Sequence, residues 1–213
     1  MKQQVRVALI LSLAWICRAG AQDLKPVQLP PPQKEIGKPL MQVLSLRQSS
    51  RDFSPKPLLP QDISNLLWAA DGINRAESGK RTAPSAMNWQ ETDVYVILQE
   101  GTFLYDAKAN SLRPVTGGDV RALAGTQGFV KDAPLALVYV VDYARMTKAN
   151  DEDKKLYGAA DVGFIAENAY LYCASQGLAV VVRGSVDRPR LSEALKLRPD
   201  QKIILAQTVG YPK

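Results

Sequence analysis

Histidine is absent from this 213-residue chain. Catalytic sets of the Ser-His-Asp and Cys-His types need an imidazole as base, so the composition excludes both. The chain has only two cysteines, Cys17 and Cys173, which together with the missing histidine leave too few ligands for most zinc sites. We therefore expect no resident metal, and if the chain is an enzyme, we expect a cofactor to supply its chemistry.

Long hydrophobic runs are also scarce, and the one at the start is typical of a secretory signal peptide. Lys2 and Arg6 precede an apolar run over 7–16, and Ala19-Gly20-Ala21 follows as a small-residue cleavage site. The run is too short to span a bilayer as a helix, and no later segment is long enough. We predict that residues 1–21 are removed on export to the periplasm or the exterior, with an uncleaved anchor as the alternative.

Charge limits the partners of the mature chain. Residues 1–21 contain three basic residues and no acid, so half of the formal net charge of +6 leaves with them. The remainder is spread without a basic cluster, which argues against nucleic acid as a partner. Cys173 is the only cysteine left after cleavage, so no internal disulfide can form.

Composition divides the chain into three parts. After the signal peptide, residues 22–39 contain five prolines and predict an extended N-terminal arm rather than core. Residues 40–213 are sufficient for one domain with a sizeable core.

Hydrophobic periodicity within that domain predicts both helices and strands. The predicted helices cover 40–48, 60–70, 119–126, 153–176 and 187–196, and Gly177 ends the longest. The predicted strands cover 94–98, 101–106, 112–115, 135–141, 178–182 and 203–209. Since 101–106 and 112–115 form a hairpin, a doubly wound sheet is excluded and an α+β fold is expected.

Two features of these segments leave alternatives open. Small residues along 153–176 allow close approach by another helix or by a flat ligand, and helix packing is slightly favoured. Trp89 and Tyr170 would suit the wall of a ligand pocket, but core packing is the simpler interpretation of both.

The clearest binding motif is Arg47-Gln48-Ser49-Ser50-Arg51. On a helix, residues four apart share a face, so the guanidinium groups of Arg47 and Arg51 would converge on one anion. A guanidinium binds two phosphate oxygens at once, and a nearby hydroxyl such as that of Ser49 completes the site. Taken alone, the motif is better explained by a pair of solvated arginines at a helix end.

Three further segments follow this motif in order. They are Pro84-Ser85-Ala86-Met87-Asn88-Trp89-Gln90, Val181-Val182-Arg183-Gly184-Ser185 and Val209-Gly210-Tyr211-Pro212. With the first motif, and in this order, they resemble the FMN-dependent nitroreductase family. The branch they resemble includes the azoline-forming thiazole/oxazole dehydrogenases of peptide natural-product biosynthesis. The resemblance extends over residues 40–212.

The resemblance implies an α-β-α sandwich with a mixed, largely antiparallel central sheet and a long core helix. It also implies a homodimer with FMN at the subunit interface, and no catalytic side chain because the flavin carries the chemistry. The residues that it places at FMN are Arg47, Gln48, Ser49, Arg51, Ser85, Ala86, Asn88, Gln127, Val182, Arg183 and Gly184.

Each segment has its own implied role. Residues 47–51 hold the phosphate and ribityl chain, and the loop at 84–90 reaches the flavin from the second subunit. Residues 182–184 lie over the isoalloxazine ring, where a backbone N–H approaches N5, and Gln127 is a weaker candidate for the flavin edge. Arg183 departs from the pattern, because many relatives have an acidic residue there.

The implied activity is transfer of hydride or electrons from a reduced donor to a small organic acceptor, in alternating half-reactions. Export conflicts with NAD(P)H as donor, since NAD(P)H is not expected outside the cytoplasm. A quinol, another flavoprotein or the substrate itself are the other possible donors. The alternative functions are a flavin-dependent dehydrogenase that oxidises a bound small molecule or peptide, and a non-catalytic flavin or tetrapyrrole carrier.

Overall fold

The computed structural model describes residues 24–213, so the predicted signal peptide lies outside the described residues. Its helices are α1 (Leu40–Leu46), α2 (Pro60–Asp71), α3 (Asp151–Gln176) and α4 (Arg188–Ala194). Its strands are β1 (Val27–Gln28), β2 (Ile73–Arg75), β3 (Lys80–Arg81), β4 (Thr92–Ile97), β5 (Gly101–Asp106), β6 (Ser111–Gly117), β7 (Leu135–Asp142), β8 (Ala179–Arg183) and β9 (Gln201–Gly210). Within 24–213, no helix combines the length and apolar character that crossing a membrane requires.

Seven strands form the central sheet, in the order β1-β6-β5-β4-β7-β9-β8, and β2 pairs with β3 in a separate hairpin. The predicted α+β class is confirmed, but the sheet is antiparallel throughout the described residues rather than mixed. The crossover through α3 does return β8 parallel to β7. However, β9 inserts between them and pairs antiparallel with both, so the two parallel strands never touch.

The central strand β7 explains the layered arrangement. All eight of its residues are buried, so both faces of the sheet must be covered. Alternate side chains enter two separate cores, one beneath α2 and α3 and the other beneath α4 and short 3-10 turns. The first core contains Leu135, Leu137, Tyr139 and Val141, and the second contains Ala136, Val138 and Val140.

Helix α3 is the long core helix that the sequence predicts. Asn150 caps its start by accepting the N–H of Asp153 at 2.8 Å, and Gly177 ends it in the left-handed conformation, with φ of 71°. The helix begins two residues earlier than predicted and packs against α1, α2, β8 and β9.

The Pro-rich segment before α1 is extended and attached to the domain. β1 pairs with β6 at the sheet edge, where proline is tolerated. Leu29 is only 4% exposed and belongs to the larger core, in contrast to the prediction that this segment lies outside it. The burial of one apolar side chain and the pairing with β6 hold the segment in place.

Two predicted helices differ from the structure. The helix predicted at 119–126 is replaced by two 3-10 turns, Arg121–Ala124 and Gly128–Lys131, because the extended Gly125 separates them. The helix predicted at 40–48 ends at Leu46, which changes the geometry of the first motif.

Candidate active site

The arginine-serine motif is extended rather than helical, because α1 ends one residue before Arg47. The helix-face explanation for its spacing is therefore wrong. Instead the segment runs beside the edge strand β8, and Ser50 N–H donates to the Val180 carbonyl at 2.9 Å. In an extended chain alternate side chains share a side, and Arg47 and Ser49 do both contact Tyr170, whereas Arg51 is exposed.

Tyr170 on α3 joins this segment to β8. The Arg47 guanidinium lies 5.3 Å from the centroid of the Tyr170 ring, and the phenol oxygen is 2.8 Å from Ser49 Oγ. Val182 N–H donates to the same phenol oxygen at 2.8 Å. Tyr170 is 5% exposed, so one buried side chain fixes the arginine-serine segment relative to β8. Core packing, the simpler interpretation of Tyr170 in the sequence, explains why its ring is buried. It does not explain the two hydrogen bonds of its hydroxyl.

The outer edge of β8 offers backbone groups to a ligand. Val180 and Val182 direct their backbone groups away from β9, toward Ser50 and Tyr170. β8 ends at Arg183, and Gly184 follows it directly in a bend. A Cβ added to Gly184 would meet only one heavy atom within 4 Å, at 3.9 Å, so a flat ligand can approach this backbone closely.

The Arg183 side chain does not join this cluster. It is 5% exposed on the opposite face of the sheet, where its guanidinium donates to the Ala124 carbonyl at 2.9 Å and to Thr208. It also lies over the Phe129 ring, at 5.7 Å from the centroid. Burial lowers the pKa of Arg183 to about 10. The Arg183 side chain therefore belongs to the second layer, and only its backbone borders the predicted ligand site.

Three other predicted contacts are peripheral within the protomer. Gln127 precedes the second 3-10 turn, in a loop that Thr126 N–H joins to the Ser185 carbonyl at 3.2 Å. Gln48 is exposed and lines a cavity of about 410 Å³ between the arginine-serine segment and the end of α3. Arg51 is exposed beside it.

The second predicted segment lies elsewhere on the protomer. Ala86 N–H donates to Asp161 Oδ2 at 2.8 Å, and Ser85 and Asn88 line a cavity of about 200 Å³ next to that carboxylate. Asp161 precedes Tyr170 by nine residues of α3, which is about 13 Å along the helix axis. One protomer therefore does not bring Ser85, Ala86 and Asn88 to the arginine-serine segment.

The loop that carries these residues has a strained backbone. The φ angles of Met87, Asn88 and Gln90 are 50°, 55° and 47°, values that residues other than glycine rarely adopt. Arg145 Nη1 donates to the Gln90 carbonyl at 2.9 Å, and Arg81 Nε donates to the Gln90 side chain at 3.0 Å. These surrounding contacts hold the loop in a strained backbone conformation, and strained backbone is most common at functional sites.

A buried carboxyl group lies in the same cavity. Asp71 Oδ2 accepts from Arg81 Nη1 at 2.8 Å, yet burial raises the pKa of Asp71 to about 7, because the guanidinium offsets only part of the desolvation. The folded state therefore retains a proton that the unfolded chain releases near its ordinary pKa of 3.8.

This difference predicts a pH dependence of stability. Relative to Asp71→Asn, the wild-type free energy of unfolding is expected to fall as pH rises from about 4 to about 7 and then to level off. The loss is at most about 4 kcal/mol, since each pKa unit corresponds to about 1.4 kcal/mol. Urea denaturation across this pH range measures it. Asp106→Asn, on the β5–β6 turn, controls for loss of one carboxylate, and parallel wild-type and Asp71→Asn profiles would contradict the prediction.

Apolar side chains are exposed along adjoining helices. On α3, Leu156 and Phe164 are 63% and 48% exposed, and the small residues Ala160 and Gly163 lie between them at helical spacing. Leu40, Met41, Leu44 and Leu46 of α1, which packs on α3, are also exposed. We call these α1 and α3 residues the apolar stripe, and exposed apolar surface of this kind marks interaction sites.

Comparison with known proteins identifies the family. The family model described as the nitroreductase family matches residues 44–211. A proposed nitroreductase of Methanocaldococcus jannaschii is 30% identical over 169 residues, which cover 75% of this chain and 85% of that protein.

Solved structures agree with that match. The crystal structure of a proposed nitroreductase from Ralstonia eutropha is 44% identical, covers 88% of this chain and 90% of its own, and has a TM-score of 0.84. A nitroreductase from Desulfovibrio desulfuricans, solved in complex with FMN, shares the fold, with 21% identity, coverage of 82% and 87% and a TM-score of 0.61. The family that the four motifs predict is confirmed, and this chain belongs to the nitroreductase family.

Proposed function

We propose that this chain is an exported, homodimeric FMN-dependent oxidoreductase that moves hydride or electrons between a reduced donor and a small organic acceptor in alternating half-reactions. The observation that carries the proposal is the Tyr170 junction, which holds Arg47 and Ser49 beside the open edge of β8, with the exposed Arg51 two residues further along the chain. Bound FMN supplies the redox chemistry, while the protein supplies binding, orientation and access.

The arginine-serine segment suits the FMN phosphate. That group carries about two negative charges near neutral pH, by analogy with other phosphomonoesters. Within residues 24–213, neither Arg47 nor Arg51 pairs with a carboxylate, so two cations are available to it. The Ser49 hydroxyl lies between them in sequence and is held by Tyr170. Opposite charge and a positioned hydroxyl are the recognition chemistry of a phosphomonoester.

The edge of β8 suits the flavin ring. Val182 N–H is occupied by Tyr170, and Gly184, directly after the end of β8, is the next open backbone position. The space around Gly184 allows a planar ring to lie against the strand. We assign Gly184 N–H as the donor that faces the flavin polar edge.

A homodimer brings the two halves of the site together. The loop at 84–90 is bonded to Asp161, which lies about 13 Å from Tyr170 along α3 of the same protomer, so the two regions are separate within one protomer. The apolar stripe adjoins both regions, because α1 ends beside Arg47 and α3 carries Asp161, and it supports a twofold interface. In such a dimer, the loop of one protomer reaches the FMN of its partner.

Identification of the bound ligand tests the proposal directly. The chain is expressed from Gln22, denatured, and the released ligand is identified by mass spectrometry, with FMN expected at one per chain. Anaerobic mixing with a soluble quinol and with NADPH then compares donors, and export predicts the faster reduction by quinol. A different ligand, or failure to bind added FMN, would overturn the assignment. Amino-terminal sequencing of protein from fractionated cells tests cleavage after Ala21.

Tyr170→Phe is expected to weaken FMN binding about tenfold. Loss of the hydroxyl leaves the Val182 N–H without its partner and releases Ser49, and an unpaired buried donor costs about 1–3 kcal/mol. Fluorescence titration of the FMN-free chain measures the affinity. Tyr172→Phe is the matched control on α3, because the Tyr172 hydroxyl is buried without a hydrogen-bond partner among the described residues. Equal affinities for the two variants would remove Tyr170 from the site.

A further inference from the structure

A pair of buried carboxyl groups lies beneath the loop at 84–90. Glu91 is 0% exposed, and among the described residues neither of its carboxyl oxygens has a hydrogen-bond partner. Asp161 is 3% exposed, and its Oδ2 accepts the N–H of Ala86 at 2.8 Å. Nothing in the flavin chemistry proposed above uses either group.

The adjacency of the two groups accounts for the unpaired oxygens of Glu91. The Asp161 carboxyl lies within hydrogen-bonding reach of Glu91, but two ionised carboxylates cannot bond to each other. If one of them carries a proton, its O–H donates to the other and the pair bears a single charge. Asp161 already accepts the Ala86 N–H, whereas both oxygens of Glu91 lack a partner among the described residues, so we place the proton on Glu91.

We propose that Glu91 and Asp161 share one proton, and that this protonated pair positions the loop bearing Ser85 and Asn88 against the flavin. The inference rests on the proposed FMN function. Glu91 O–H donates to Asp161, and Asp161 accepts the Ala86 N–H, so the position of the loop depends on the proton. Both are positioning residues, since neither contacts the flavin.

The surrounding charges do not replace that proton. Arg145 is a cation that acts on Glu91, but its guanidinium is engaged by Asp93 at 2.6 Å and by the Gln90 carbonyl at 2.9 Å. Asp71 and Arg81, on α2 and β3, line the same cavity and pair with each other. Burial, and then the negative charge of Asp161, raise the pKa of Glu91 above its ordinary value.

The sign of the pH effect follows from that shift. When Glu91 releases its proton to solvent, two buried negative charges repel each other and the contact between Asp161 and Ala86 weakens. The loop contains three left-handed residues, so it relaxes once this contact is lost. Order in the loop, and FMN affinity with it, is therefore present at acid pH and lost as pH rises through the raised pKa of Glu91.

Glu91→Gln tests the shared proton, because its amide donates to Asp161 at every pH. Wild-type FMN affinity is expected to fall at least about tenfold between about pH 5 and pH 8. This fall corresponds to the loss of one charge-assisted hydrogen bond. The affinity of Glu91→Gln is expected to stay level. In the FMN-free protein, the exchange protection factor of the Ala86 amide should fall over the same pH range in the wild type only.

Asp161→Ala removes the acceptor and is expected to lower FMN affinity at least about tenfold at all pH values. Asp153→Ala is the control, since Asp153 lies on the same helix about 12 Å away along its axis. Should Asp161→Ala fail to fold, Glu91→Gln still decides the question. Identical pH slopes in the wild type and Glu91→Gln overturn the inference. A wild type that binds no FMN at any pH overturns the proposed function instead, while Ala86 exchange still reports on the pair.

Discussion

The Arg47→Ala/Arg51→Ala double variant is expected to bind FMN more weakly by about two to four orders of magnitude. Each hydrogen bond to a charged group contributes about 1.5–3 kcal/mol, and the variant removes both cations from the phosphate. In addition, Arg47 lies over the Tyr170 ring, so its loss also exposes the junction between α3 and β8. Titration of FMN into the ligand-free protein, at fixed salt, gives the two dissociation constants.

Net charge must be separated from local contacts in this experiment. Arg113→Ala/Arg190→Ala removes the same two charges from exposed side chains, which are 59% and 73% accessible and lie on other elements. If binding depends on the cluster, this control retains wild-type affinity at about 0.15 M salt, where remote exposed charges are screened. Full flavin loading in the Arg47→Ala/Arg51→Ala protein would refute the phosphate assignment.

The sheet and the long helix were predictable because their patterns are local. β7 is an uninterrupted apolar run that only a strand buried on both faces accommodates. α3 has a capping asparagine and a closing glycine, both visible in the sequence. By contrast, the place of β9 between β7 and β8 depends on which strands meet in space, and no local pattern encodes it.

The motif residues were predictable in identity but not in geometry. Helical spacing and extended spacing both bring Arg47 and Arg51 to one side, so the pattern could not distinguish them. The direction of Arg183 follows from strand alternation, but only once the edges of β8 are known. Tyr170 could be found only through its partners, because nothing in a helical tyrosine indicates that its hydroxyl accepts an edge-strand N–H.

The loop at 84–90 was predicted as a contact segment, but its conformation was not, and for a different reason. Three left-handed residues other than glycine have no sequence signature, and what holds them there is supplied by distant groups. Asp161 is 75 residues from Ala86 in the chain, and Arg145 is 55 residues from Gln90. Tertiary contacts of this kind override local preference, which is why the carboxyl pair beneath the loop has no counterpart in the motif analysis.

Leu156→Glu/Phe164→Glu is expected to dissociate the dimer and abolish FMN retention together. Both side chains belong to the apolar stripe, and a twofold interface presents each of them twice. Burial of a large apolar side chain contributes about 1.5–3 kcal/mol, so four lost contacts raise the dimer dissociation constant by about four orders of magnitude or more. Four introduced carboxylates would also have to be buried, which adds to the loss.

The Leu156→Glu/Phe164→Glu variant tests whether FMN binding depends on dimer formation. Sedimentation gives the oligomeric state, and absorbance of the purified protein gives the flavin content. Leu59→Glu is the control, since Leu59 is 57% exposed at the start of α2, outside the apolar stripe, and we expect it to remain a flavin-loaded dimer. A monomeric Leu156→Glu/Phe164→Glu protein that keeps full flavin would show that one protomer holds FMN unaided. Because the loop at 84–90 is bonded to Asp161, about 13 Å along α3 from Tyr170 in its own protomer, we expect monomer formation and flavin loss to coincide.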